Sequence, residues 1–273
     1  MRRTFFLLLL ACGDNKTHPM RQEYEAGGLP KLSCTPNLDG KIDADELKPA
    51  IGLTARYLVN PAGKTRTVDL AGTVDENGQR SWNLGTDFAD DQVAELPATA
   101  IDGKWYAASF KAAAFVAPFD LGKTIDAIYA YDASALSLLG LASADPNPPE
   151  GKTLLVYDNP IAIFRFPIAP GGKWVSAGTI TMGTLRGQPY AGKDTYEVSV
   201  PAAGRLTLPD FTFTQALRVE TKVTVQPTAG MTVVTRQTSY LFECFGEVAR
   251  ATSQNGEMND DFTTAAELRR LGL

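Results

Sequence analysis

The sequence predicts a mainly β fold: an antiparallel β-sandwich or barrel-like domain with a short C-terminal helix. Three observations predict it. Turn signals recur at residues 61–64, 76–78, 102–104, 169–172, 201–204 and 227–230, with short runs rich in Val, Ile, Thr, Tyr and Phe between them. From Leu217 to Gln226 the chain alternates strictly. Leu217, Val219, Thr221, Val223 and Val225 face one way, and Arg218, Glu220, Lys222, Thr224 and Gln226 face the other. Helical periodicity is scarce. Many short strands with Gly/Pro turns belong to sandwiches and barrels.

Residues 43–51 (DADELKPAI) carry a short helix signal, and the alanine-rich stretch 107–117 fits either strand or helix. The segments KTLLVYD, PIAIFRF, KWVSAGTITM and DTYEVSV read as strands. Residues 145–151 (DPNPPEG) mark either a subdomain boundary or a loop within the β domain of residues 33–252. The alternating strand 217–226 is followed by a turn at 227–230. A returning run to Phe245 then places Val234, Tyr240, Phe242 and Cys244 on one parity, which makes a long antiparallel hairpin with one wet face. The tail 253–273 ends in a helix over residues 263–271, because Thr264 and Glu267 have capping-box spacing. A membrane-spanning barrel is the architectural rival. Runs such as LLVY and IAIFRF are continuously apolar instead of alternating, and so favour a two-layer core.

The chain opens MRRTFFLLLLACGDN. Arg2 and Arg3 precede an apolar run from Phe5 to Ala11. Seven helical residues rise about 10 Å, far less than a bilayer core, so the run reads as an export signal and not as a span. Leu9-Leu10-Ala11-Cys12 resembles the lipobox of bacterial lipoproteins. The resemblance covers about 15 residues. It implies cleavage before Cys12, acylation of that Cys with fatty chains including palmitate, and a membrane as partner through the N-terminal lipid. Several acyl chains on one residue anchor stably where a single chain does not. Gly13 follows Cys12 in place of the Asp that marks inner-membrane retention in enterobacterial members. This favours the outer membrane of the cell envelope. Residues 12–32 lack periodicity and read as a flexible tether.

Removing Cys12 from the count leaves Cys34 and Cys244. An even pair in an exported chain reads as a disulfide bond. The net charge of −5 and pI near 5.1 argue against a nucleic-acid partner, which needs a basic surface.

The only histidine is His18, in the tether. A folded Ser-His-Asp or Cys-His site and a multi-histidine zinc site therefore have no imidazole to use. Three Gly-Lys-Thr tripeptides lack the upstream glycine of a phosphate loop and read as turns. Residues 35–46 resemble an EF-hand or dockerin calcium loop. Asn37, Asp39, Asp43 and Glu46 stand at ligand positions, and Lys41 would contribute its backbone carbonyl. Thr35 replaces the usual first Asp, and the alternative is an Asp-Gly turn leading into a capped helix. Calcium is thus the one cofactor the sequence raises. Asp87, Asp90, Asp91 and Glu95 read as solvated loop charges, or else as half of a carboxylate pair for glycoside hydrolysis. Trp82, Trp105 and Trp174 either anchor the core or line a sugar or lipid site. The sequence thus points to a non-catalytic binding or structural module with an unidentified protein or apolar ligand. The alternatives are a carrier of a lipid or other apolar molecule in a β cavity, and a carboxylate-based hydrolase.

Overall fold

A computed structural model describes residues 34–273. Export, acylation at Cys12 and the tether therefore concern residues outside the described ones. Fifteen strands form one sheet: β1 (Thr54–Val59), β2 (Arg66–Thr67), β3 (Thr73–Val74), β4 (Arg80–Asn83), β5 (Gln92–Pro97), β6 (Phe115–Pro118), β7 (Ile125–Tyr131), β8 (Ala135–Ser143), β9 (Leu154–Arg165), β10 (Lys173–Leu185), β11 (Gln188–Thr207), β12 (Thr212–Pro227), β13 (Val233–Phe242), β14 (Gly246–Ser253) and β15 (Thr264–Leu271). The main path runs β5-β1-β15-β14-β13-β12-β11-β10-β9-β8-β7-β6 and is antiparallel throughout. A bridge between Thr99, just past β5, and Val116 of β6 brings the two edges together, so the sheet is nearly closed into a barrel. Closure leaves few unpaired edges.

The hairpin of β12 and β13 matches the sequence pattern, with Leu217 opposite Leu241 and Val225 opposite Val233. Its outer face is wet over only part of its length. Residues 66–88 and Phe262 cover the rest, and Trp82, Leu206, Phe213, Ala216, Tyr240 and Phe242 form a buried core outside the barrel wall. Arg218, expected at the surface, is 4% exposed. Trp82 meets Tyr240 edge-on at 5.1 Å and donates its indole N–H to the Leu70 carbonyl at 3.0 Å. β4 runs parallel to β11 at this point. Only glycine fits at position 204, since a Cβ there would lie 2.2 Å from the Arg80 carbonyl oxygen. The expected turn at 201–204 is accordingly a bulged stretch of β11, with register shifts on either side of residues 202–204.

A second cover explains the continuously apolar runs. Residues 101–113 lay Tyr106 and Phe110 on Val116, Ile128 and Leu139, and Leu154 and Val156 of β9 pack into this outer cluster. Leu155 and Tyr157 of the same strand face the barrel interior with Leu138, Ile161 and Ile180. Both faces of β9 are therefore covered over residues 154–157, and period-2 alternation disappears there. Residues 145–151 join β8 to β9, two neighbours in the same sheet.

The C-terminal helix is not present. Residues 264–271 form β15, paired with both β14 and β1. An isolated segment of this length is too short to hold a helix by itself. Here the sheet supplies hydrogen bonds on both sides, and the 5%-exposed Asn60 adds two more: it accepts from Leu268 N–H at 2.7 Å and donates to the Ala266 carbonyl at 2.9 Å. Glu267 bonds Arg269 instead of capping a helix. The early helix signal yields one 3₁₀ turn, Ala44–Leu47.

Cys34 and Cys244 form the expected disulfide, with Cα atoms 5.5 Å apart. The bond ties residues 34–47 across the barrel end where β13 finishes. Ile42 exchanges two backbone hydrogen bonds with Ile168, at 2.8 and 2.9 Å. It packs with Phe164, Val198, Leu217 and Leu241. This segment closes one end of the barrel.

Candidate functional site

The calcium-loop residues do come together, but they bond one another. Glu46 accepts from the Asn37 side-chain amide at 2.7 Å and from Asp43 N–H at 2.9 Å. Asn37 accepts from Asp39 N–H, and Asp39 from Lys41 N–H. The Lys41 ammonium lies against Asp43, with Asp39 at 3.5 Å. Glu243 is 3% exposed and accepts from the backbone N–H groups of Asn37 and Leu38, both at 2.7 Å. In this structure these oxygens accept from donors of the same segment. No group of three or more His, Cys, Asp or Glu among the described residues is set to hold a metal ion.

The acids at 87–95 are engaged by arginines. Asp91 binds Arg66 at 2.8 Å and also binds Arg270, while Asp90 binds Arg66 at 2.7 Å and Lys64 at 2.8 Å. Both guanidiniums stack on Phe88. Arg270 also donates to the Leu84 carbonyl at 2.8 Å and to the Thr86 carbonyl. The expectation of solvated loop charges therefore fails for Asp91, whose side chain is 6% exposed. The tryptophans act as anchors. Trp82 is buried, and Trp105 and Trp174 donate to the Ser143 and Ala162 carbonyls.

The most distinctive polar cluster was not legible in the sequence, because it is assembled from opposite walls. Cross-strand partners share a face, so register places Tyr57, Ser239, Glu247, Arg250, Glu267 and Arg269 inside the barrel beside Val59, Leu241 and Thr252. Tyr129 of β7 and Tyr196 of β11 reach the same charges from across the interior. Arg250 pairs with Glu247 at 3.3 Å and Arg269 with Glu267 at 2.6 Å. Glu247 also accepts from the Ser239 hydroxyl at 2.7 Å, and its backbone carbonyl accepts from Tyr57 at 2.7 Å. Arg250, Glu247 and Glu267 face inward and keep 21%, 22% and 26% side-chain exposure.

The charges are unevenly supported. Burial pulls the Arg250 guanidinium down, but Glu247 and Glu267 outweigh it and hold its pKa above the ordinary arginine value. Burial depresses Arg269, and neighbouring Arg250 adds to the effect. Burial raises the Tyr57, Tyr129 and Tyr196 phenols, which therefore stay protonated as hydrogen-bond donors.

Nearer the other end of the barrel, Tyr157 donates to Asp194 Oδ2 at 2.5 Å. Asp194 is 7% exposed, its Oδ1 has no hydrogen-bond partner, and burial raises its pKa. Tyr190 and Tyr196 also stand within electrostatic reach of this carboxylate. These residues lie on β9 and β11, whose inward parity here runs Tyr190, Gly192, Asp194, Tyr196.

Fold and site together define a nearly closed β-barrel with parts of its outer wall covered and a cluster of charged and phenolic side chains among the apolar residues inside. No family model, curated protein or solved structure matches the chain.

Proposed function

We propose that this chain is an exported, lipid-anchored envelope module that works without catalysis and holds a small polar molecule inside its barrel. The observation that carries the reading is the inward-facing set of Tyr57, Tyr129, Tyr196, Glu247, Arg250, Glu267 and Arg269. Buried charges cost folding energy, and a protein that needed only stability would do as well with apolar residues there. The export half of the proposal rests on Cys12 and its lipobox resemblance, and is supported by the Cys34–Cys244 disulfide, a bond of oxidising compartments.

The outer surface supports a barrel that stands in water. Lys222 pairs with Glu197 at 2.6 Å, and Arg236 with Asp260, on the outward faces of β11 to β13. A spanning barrel carries an apolar band there. The carrier of a purely apolar ligand is less well supported, because Leu138, Leu155, Ile161 and Ile180 pack on one another and the charged set lies on the same inner surface. A hydrolase is less well supported because Asp90 and Asp91 are bound by Lys64, Arg66 and Arg270.

Two measurements test the proposal. Metabolic labelling with palmitate should mark the wild-type chain and not Cys12→Ser. Native mass spectrometry of the chain isolated from its own envelope should show an added small-molecule mass, lost on Arg250→Gln. Equal labelling of both chains would refute the anchor. A bare mass would refute the binding role.

A further inference from the structure

We infer that Asp194 and the tyrosines Tyr157, Tyr190 and Tyr196 form a receptor for an organic cation, a substituted ammonium group. This names the ligand class for the polar interior and rests on the binding reading above.

A buried carboxylate oxygen without a donor is costly, and native proteins rarely leave one in that state without a reason. Asp194 satisfies Oδ2 through Tyr157 and leaves Oδ1 bare. The groups around it are aromatic. Tyr157, Tyr190 and Tyr196 pack in one cluster beside it, tyrosine rings attract cations, and one carboxylate among them suits a bulky, weakly hydrated ammonium better than a metal ion, which would want several oxygens. No second carboxylate acts on Asp194, and burial and the Tyr157 hydroxyl are what set its proton affinity.

The backbone is kept bare around it. Gly178 is the β10 partner of Asp194, and a Cβ there would lie 2.6 Å from Tyr157 Cδ1. A Cβ on Gly192 would lie 2.8 Å from the Tyr190 hydroxyl. Both glycines thus leave room for the rings. Tyr190 also lines a cleft of about 560 Å³ with Met182, Gly183, Thr184 and Thr228, at the barrel end opposite Cys244. Tyr190 is therefore shared between the entrance and the carboxylate. Met182, 93% exposed, offers a polarisable contact at the mouth of the cleft.

The test uses the full chain purified in detergent, with choline as the probe and 3,3-dimethylbutan-1-ol as its uncharged isostere. Calorimetry should detect choline and not the isostere. Asp194→Asn, with an unchanged circular dichroism spectrum, should weaken choline at least about tenfold. Tyr190→Ala should weaken it likewise, and Tyr190→Phe, which keeps the ring face, should not. If Asp194→Asn does not fold, the Tyr190 pair carries the test alone. Absence of choline binding by wild type, equal binding by the isostere, or undiminished binding by folded Asp194→Asn would overturn the inference. Binding of acetate in place of choline, lost on Arg250→Gln, would overturn the cation assignment while leaving the polar-ligand reading intact.

Discussion

Replacing both Cys34 and Cys244 by serine tests how the barrel end is closed. The bond spans a sequence separation of 210, so its removal frees a very long loop in the unfolded chain. Chain entropy sets the loss at no more than about 5 kcal/mol. A domain of roughly 240 residues unfolds with an entropy of about 0.5 kcal/mol per kelvin, which converts that limit into a fall in Tm of about 10 °C. The observed fall should be smaller, about 5–10 °C, because other contacts hold the segment in place. Ile42 keeps its two backbone bonds to Ile168, and Glu243 keeps Asn37 and Leu38. The serine variant should therefore remain folded at 25 °C. The assay is calorimetric unfolding of wild type, oxidised and reduced, beside the double variant, with free thiols counted in each. Coincident melting curves would refute the reasoning. So would a double variant unfolded at 25 °C, since that would make the disulfide the sole fastening of residues 34–47.

Asp194→Asn should stabilise the protein above about pH 4, by an amount that grows up to the folded-state pKa of Asp194 and is constant above it. Burial lifts the folded-state pKa of Asp194 above 3.8, so the folded state holds its proton more tightly than the unfolded one, and wild type loses stability as pH climbs through the folded value. Denaturant midpoints from pH 3 to pH 8 should diverge with pH, and parallel profiles would show that Asp194 carries no such burden. Gly178→Val should displace Tyr157 and lower Tm, since the first added carbon already meets that ring at 2.6 Å; an unchanged Tm would mean the ring has space to move. Trp82→Ala empties the centre of the outer core and should cost about 3–5 kcal/mol in urea unfolding, with a value below 1 kcal/mol contradicting the packing. Asn60→Ala should cost about 2–4 kcal/mol, because it leaves the Leu268 N–H and Ala266 carbonyl unsatisfied, and hydrogen exchange in β15 should quicken. Unaltered exchange there would count against Asn60 as the pin.

The residues alone determined the β class, the β12–β13 hairpin and the disulfide. Each follows from local chemistry: strict alternation from 217 to 226, turn-forming dipeptides, and two cysteines left for one another. The same local logic misread residues 264–271, where Thr264 and Glu267 have helix-capping spacing but pairing on both sides of β15 outweighs a weak helical preference. It also misread 201–204, where Gly204 serves the passage of β4 and not a turn. Asp91 read as a surface charge because nothing near it in sequence shows Arg66 and Arg270 waiting 25 and 179 residues away. Only the tertiary structure decided the site. Tyr57, Tyr129, Asp194, Tyr196, Arg250 and Arg269 lie on β1, β7, β11, β14 and β15, and no spacing links them along the chain. What brings them face to face is barrel closure, a long-range event that turns the inward parity of distant strands into a single interior surface.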